Sequence, residues 1–309
     1  MHSHQRKSGK ETLAIVGPKG GVGKSIISAN LAIALSNMGK RVIAVDLDLG
    51  AANLHALLGV RDSGYTLDDF IMNRVGALSQ VVLETGIKNL GMIGGGDVPG
   101  IANMPYQRKM KLIGHLLKLD SDIVILDLGA GASNNVVDFL MIAQRGLLVT
   151  TPEVPSLLNA YSFIKTTVFR RLAFHFKHNN SAGLLDLLER AKNPEKYPQL
   201  KKMEGFLKEA QGIDAKMAES TSRLLAGFQF IIVVNRVQRQ ADANAGEAVQ
   251  NLMREYLNIP SSLILTIRED SAVRSAIAKL KPSMLENPTS SFCMDIMQIA
   301  RTLYSDEWP

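Results

Sequence analysis

Cysteine is nearly missing from this chain: Cys293 is the single one in 309 residues. One thiol closes no intrachain disulfide and cannot supply a four-cysteine zinc or iron–sulfur site within one subunit. A disulfide-stapled scaffold is excluded, and a reducing, cytoplasmic compartment is expected. Long apolar runs are missing too, since no stretch of roughly 18 or more apolar residues exists to span a bilayer. Met1–Glu11 is polar and basic with no apolar segment behind it, so neither a secretory signal nor an integral protein is expected. Aromatic residues are few, at 6%, yet 46% of the residues are hydrophobic and 21% charged, which supplies a full-sized core and excludes disorder.

An acidic balance is also lacking, with 35 basic residues against 29 acidic and a net charge of +6. The excess is concentrated. Between Lys165 and Lys202 stand nine Lys/Arg and only Asp186, Glu189 and Glu195, so this segment carries as much positive charge as the whole chain. Such a patch could meet an acidic protein, anionic lipid or nucleic acid, or be a solvated helix face.

Apolar, β-branched runs recur between amphipathic stretches: Thr12–Val16, Arg41–Asp46, Leu90–Ile93, Ile123–Asp127, Gly146–Thr150, Phe228–Asn235 and Ser262–Thr266. This alternation predicts an α/β chain, a doubly wound and mostly parallel sheet with helices on both faces. Helices are expected over Ser25–Met38, ended by Gly39, over Gln107–Leu119, over Ser156–His178, closing at Asn179-Asn180, and over Ser291–Tyr304. The last sets Phe292, Ile296, Ile299 and Leu303 on one face, the pattern of a core helix. Residues 1–309 read as one domain. About fifty residues, 174–227, form a basic helical elaboration between two strands, interrupted at Asn179–Gly183 and from Asn193 to Pro198.

Directly after the first strand comes Gly17-Pro18-Lys19-Gly20-Gly21-Val22-Gly23-Lys24-Ser25-Ile26, and a helix opens at its end. Glycines let the backbone curl into a nest of N–H donors at a helix N-terminus, Lys24 can reach the β- and γ-phosphates, and the Ser25 hydroxyl can bind Mg²⁺. The strict pattern G-x-x-x-x-G-K-[ST] has glycine where this chain has Pro18. Asp46 and Asp48 end the second long strand and share a face, because alternate strand residues point the same way. Asp127 ends the apolar strand Ile123–Leu126, at the sheet edge where ligands of parallel sheets bind.

On these residues the chain resembles the deviant Walker A ATPases of the MinD/ParA type, a branch of the P-loop NTPase fold whose loop reads K-G-G-x-G-K-[ST], here Lys19 to Ser25. The resemblance implies ATP and Mg²⁺, ATP hydrolysis, and an ATP-dependent homodimer in which Lys19 crosses to the partner's phosphates. It makes Lys19, Lys24 and Asp48 catalytic, with Asp48 orienting the attacking water. Gly20, Gly21, Val22, Gly23, Lys24, Ser25, Ile26, Asn235 and Arg236 become nucleotide contacts, the last two at the adenine. Ser25, Asp46 and Asp127 become the Mg²⁺ residues. Asp46, Asp48, Gly50 and Asn53 follow the family's D-x-D-x-G-x-x-N, and Arg268-Glu269-Asp270 with Val273, Ala276 and Pro282 resembles its loop near the base.

Within the family, Asp46–Leu58, Asp127–Ser133 and Val149–Pro155 with Asn159-Ala160-Tyr161 resemble the FlhG/FleN branch, which limits flagellar number and placement. This implies a protein partner in the flagellar or polar assembly machinery. A cytoplasmic location follows, with peripheral contact at the inner membrane or cell pole left open. His2–Lys10 lacks a clear form of the glutamine-containing segment through which some members activate the SRP-type GTPase FlhF, so that activation also stays open. The helix Ser291–Tyr304 carries only Arg301 as a base and is followed by Asp306 and Glu307, unlike a cationic membrane helix. The rivals are a ParA-type partition ATPase that binds DNA non-specifically, here the disfavoured choice, and a non-hydrolysing adapter. Ser156–His178 interleaves Phe163, Phe169, Phe174 and Phe176 with Lys165, Arg170, Arg171 and Lys177, the composition of a protein interface.

Overall fold

The computed structural model describes residues 10–49, 51–61, 64–96, 104–228, 230–260 and 262–304. Three sequence features therefore lie outside the described residues: the N-terminal segment up to residue 9, Gly50, and the acidic residues 306 and 307. Strands β1 (Glu11–Gly17), β2 (Val42–Leu47), β3 (Leu83–Glu84), β4 (Leu90–Ile93), β5 (Ile123–Ala130), β6 (Arg145–Thr150), β7 (Phe230–Val237) and β8 (Leu263–Arg268) form one sheet in the order β3-β4-β2-β5-β1-β6-β7-β8. Every pairing is parallel except β3 with β4. All seven expected strands are present. The eighth, β3, is two residues long and too short to leave a periodic signal.

Alternation along the strands feeds two apolar layers. Leu13 and Ile15 of β1 face one side, beside α1 (Lys24–Asn37) and the C-terminal helix Ser291–Tyr304, while Ala14 and Val16 face the other. That second layer holds α4 (Tyr106–Leu116), α5 (Asn134–Met141), α6 (Val154–His178) and α11 (Ala245–Leu257); the short α2 (Leu54–Leu57) follows β2 and α3 (Leu67–Ile71) precedes β3. Gly39 stops α1 in the left-handed region at φ +84°, where its N–H bonds Ser36 and the Lys40 N–H reaches back to Leu35.

The elaboration consists of α7 (Ala182–Ala191), a short 3₁₀ turn (Pro198–Leu200), α8 (Met203–Ile213) and α9 (Ala215–Ala226), all between β6 and β7. Its buried Leu184, Leu187, Phe206 and Leu225 continue the apolar layer of α6, and Phe176 stacks on Phe206 with ring centroids 6.2 Å apart. The break after α6 is shorter than expected, since Ala182 and Gly183 already belong to α7. Beyond β8 come α12 (Ser271–Ala278), α13 (Ser283–Glu286) and the C-terminal helix, α14 (Ser291–Tyr304); α10 (Gln240–Ala243) is a single turn ahead of α11.

Two helices test the amphipathic readings. On α14, Phe292, Cys293, Ile296, Ile299 and Leu303 are all buried, so the apolar face belongs to the core as the spacing predicts. No helix among the described residues is long and apolar enough to cross a membrane. On α6 the four rings divide between surface and core: Phe174 is exposed and Phe169 half-buried. Phe163 and Phe176 are core residues, because i and i+3/i+4 positions of this helix face the sheet. Arg170 is not free either: its guanidinium pairs with buried Asp138 of α5 at 2.6 and 2.8 Å, and Lys109 of α4 closes on the same carboxylate. Arg171 is exposed but lies over the Phe228 ring, 5.2 Å from its centroid.

Candidate functional site

The phosphate loop leaves β1 at the C-terminal edge of the sheet. Gly23, at φ +98°, turns the chain into α1, a backbone state that a side chain would strain. No side chain caps that helix and its first turn carries no acid, so the first N–H groups of α1 stay available to an anion. Lys24 is buried at 6% exposure, with its stem lying over Gly17, where a Cβ would come within 3.0 Å of it. Val22 is buried beneath the loop, whereas Lys19, Gly20 and Gly21 are exposed at the loop crest. Lys19 makes no hydrogen bond or ion pair with the other described residues.

Asp46 and Asp127 are register partners on adjacent β2 and β5 and are both buried. The Asp46 carboxylate is occupied by backbone: Oδ1 accepts from Asp48 N, and Oδ2 from Asn53 N and Leu54 N, all within 3.1 Å. With both oxygens taken by backbone N–H groups, Asp46, expected from the sequence as a Mg²⁺ residue, instead fixes the loop after β2. Burial raises its pKa, and those three N–H groups offset part of the rise. Asp127 accepts from the Ser28 hydroxyl at 2.8 Å through Oδ1, while its buried Oδ2 has no hydrogen-bond partner among the described residues. Burial, and then the Asp46 charge, push Asp127 up to about 7 against the pull of Ser25, Ser28 and Lys24.

A buried carboxylate oxygen with an open valence fits a hard cation. The donors around it are all oxygens, Ser25 hydroxyl and carboxylate, which suits Mg²⁺. Ser28 escaped the sequence reading. It stands one turn after Lys24 on the same helix face, an i, i+4 relation that could have flagged it.

Asp48 stands at the end of β2 against Gly129, where a Cβ would lie 3.0 Å from its Oδ1. The two line a small cavity of about 160 Å³ with Ser133 and Asn135 from the start of α5. The turn after β5 is tied to the phosphate loop, since Gly131 N–H bonds Gly17 O at 3.1 Å. The sheet thus gathers Lys24, Ser25, Asp46, Asp48 and Asp127 at one edge.

On the other side of the loop a cleft of about 350 Å³ is lined by Gly23, Ile26, Asn235, Arg236, Val273 and Phe292, among others. Its size, and a lining that mixes Ile26, Val273, Ile277 and Phe292 with charged Arg268, Glu269 and Arg274, suit a nucleobase. Asp270 caps α12 and accepts from Ser291 Oγ at 2.7 Å, and Arg268 pairs with Asp295 at 2.7 Å, so both fasten the cleft to α14. Ala276 is buried behind it. The amide of Asn235 is already engaged within the chain: Nδ2 donates to Val22 O at 2.8 Å and Oδ1 accepts from Arg236 N at 2.9 Å.

A model of the CobQ/CobB/MinD/ParA nucleotide binding domain matches residues 13–283. The antiactivator FleN of Pseudomonas aeruginosa is 30% identical over 254 residues, 82% of this chain and 81% of that protein. The septum site-determining protein MinD of Helicobacter pylori is 33% identical over 146 residues, which span 47% of this chain and 54% of the relative. Among solved structures, MinD complexed with Mg-ADP from Pyrococcus horikoshii matches 96% of both chains with a TM-score of 0.64 at 22% identity. A ParA family ATPase from Chlorobium tepidum matches 96% of this chain and all of its own at a TM-score of 0.63 and 20% identity. At such identities these two establish the shared fold.

Proposed function

Because the chain belongs to the CobQ/CobB/MinD/ParA nucleotide-binding family, we propose that it is an ATPase of a single domain that dimerises on ATP, hydrolyses it to ADP and phosphate, and thereby times the number, placement or assembly of flagella. The loop N–H groups and Lys24 bind the β- and γ-phosphates, and Asp48 orients the attacking water from the opposite wall. Ser25 and Asp127 hold Mg²⁺, with Asp46 fixing the strand end beside them; the ion supplies neutralisation of phosphate charge. Lys19, exposed and without an ion pair among the described residues, reaches across to a second subunit in this reading.

The observation that carries the flagellar reading is the extent of the FleN match, four-fifths of both chains, where the Helicobacter MinD match stops near half of each. A protein partner is favoured over lipid because α14 spends its apolar face on the core. In a strain lacking this chain, flagellar number or position should change, and the wild type but not the Lys24→Ala variant should restore it. Normal flagella with loss of plasmids or chromosomes would select the partition reading instead.

A further inference from the structure

Strand β7 does not run straight into the site. Its register against β8 shifts between Val234 and Val237, and the two residues in that bulge are Asn235 and Arg236. Arg236 sits at φ +62°, a left-handed state that a non-glycine residue keeps only where its surroundings hold it. Bulges re-aim side chains, and here both turn toward the phosphate loop, more than two hundred residues earlier in the chain. Asn235 Nδ2 donates to Val22 O at 2.8 Å, and the Arg236 guanidinium donates to Gly21 O at 2.9 Å. The orientation of the Asn235 amide is fixed by its partners, a carbonyl on one side and the Arg236 N–H on the other. The fit is close, since a Cβ on Gly23 would come within 2.4 Å of Nδ2.

These contacts decide the sign of the loop's field. A backbone nest attracts phosphate only while its N–H groups point inward and its carbonyls point away. Gly21 and Gly23 are free to rotate, and an inward-turned Gly21 or Val22 carbonyl would repel the anion. We propose that Asn235 and Arg236 are positioning residues that clamp the phosphate loop in its anion-accepting form before nucleotide arrives. The bulge in β7 is the device that delivers them. The proposal rests on the reading that residues 17–25 bind nucleotide phosphate, and it departs from that reading's assignment of both side chains to the base edge.

Amide hydrogen exchange of Gly20–Ser25 in the nucleotide-free protein separates the two roles. Asn235→Ala and the isosteric Asn235→Asp, which lacks the donor, should speed exchange there about tenfold, the scale of one lost hydrogen bond. Affinities for MgATP and MgGTP should fall together by about the same factor, with their ratio unchanged and kcat moved less than KM. Arg236→Gly guards against misfolding, because it relieves the positive φ. It should raise Tm while still speeding loop exchange, an opposition that a merely structural residue would not produce. Unchanged exchange in all three variants, or loss of the ATP/GTP ratio alone, would overturn the clamp in favour of a base contact. A wild type that binds no MgATP yet shows slow, Asn235-dependent exchange would refute the nucleotide reading and leave the clamp standing.

Discussion

At the residue scale, Lys24, Asp48 and Asp127 occupy environments that separate their roles. Lys24 is buried beside the loop, so Lys24→Ala should weaken MgATP binding by about a hundredfold, measured by calorimetry. Asp48 packs against Gly129 at the end of β5, so Asp48→Ala should bind ATP with near-normal affinity and lower kcat by about a hundredfold or more. A wild-type turnover rate in that variant would remove the assigned water-positioning role. Asp127 adds a pH dependence with a definite sign. Its folded pKa, about 7, lies above the ordinary 3.8, so between these values the unfolded chain releases a proton that the folded chain keeps. Stability of the nucleotide-free protein from this group is complete below about pH 4, declines as pH rises, and levels off above about 7. Asp127→Asn should flatten that slope and raise stability at pH 8 by on the order of a few kcal/mol, seen as a higher Tm in a thermal melt without Mg²⁺.

At the element scale, the Lys109–Asp138–Arg170 cluster joins α4, α5 and α6 just beyond the turn that follows Asp127. Asp138 is 6% exposed and shared by two cations, so Asp138→Ala leaves both with their charge partner removed in a low-dielectric site. A loss of about 3–5 kcal/mol in urea unfolding is expected. Arg170→Glu should be destabilising for the same reason, which makes it unsuitable as a probe of a surface contact. The residue types of α6 were legible in the sequence, but their direction was not. A 25-residue helix rotates its apolar stripe through several turns, and only the sheet beneath it and α7–α9 beside it select which rings are covered. For α14 the opposite holds, since four apolar residues at helical spacing over one short helix leave one face to bury.

At the scale of the whole molecule, the exposed loop crest sets the expectation for assembly. Two copies bringing triphosphates face to face need cations between them, and Lys19 is exposed with no ion pair among the described residues. Asp48→Ala should sediment as a dimer with ATP and as a monomer with ADP. Lys19→Ala should stay monomeric in both, with stability within about 0.5 kcal/mol of wild type, since Lys19 is exposed and makes no hydrogen bond or ion pair among the described residues. Equal mass with ATP and ADP would remove the switch. Binding to random duplex DNA that drops about 10³-fold from low to moderate salt would signal a phosphate-tracking surface and the partition reading.

The chain alone determined what depends on neighbours a few residues apart: the Gly-rich turn before Lys24, carboxylates at the ends of β2 and β5, the strand and helix periods, and hence the parallel sheet and its phosphate edge. Those follow from local backbone freedom and from side chains repeating every 2 or 3.6 residues. Tertiary structure decided what depends on residues far apart. It buried Asp46 and Asp127 side by side, so that burial raises both and the Asp46 charge raises Asp127 further, supplied Ser28 to one Asp127 oxygen, and spent Arg170 on Asp138. It also carried Asn235 and Arg236 to carbonyls more than two hundred residues away. The physical reason is that a charge or amide has no fixed partner until packing removes water from it, and the order of strands in the sheet, not their order in the chain, chooses which partner arrives.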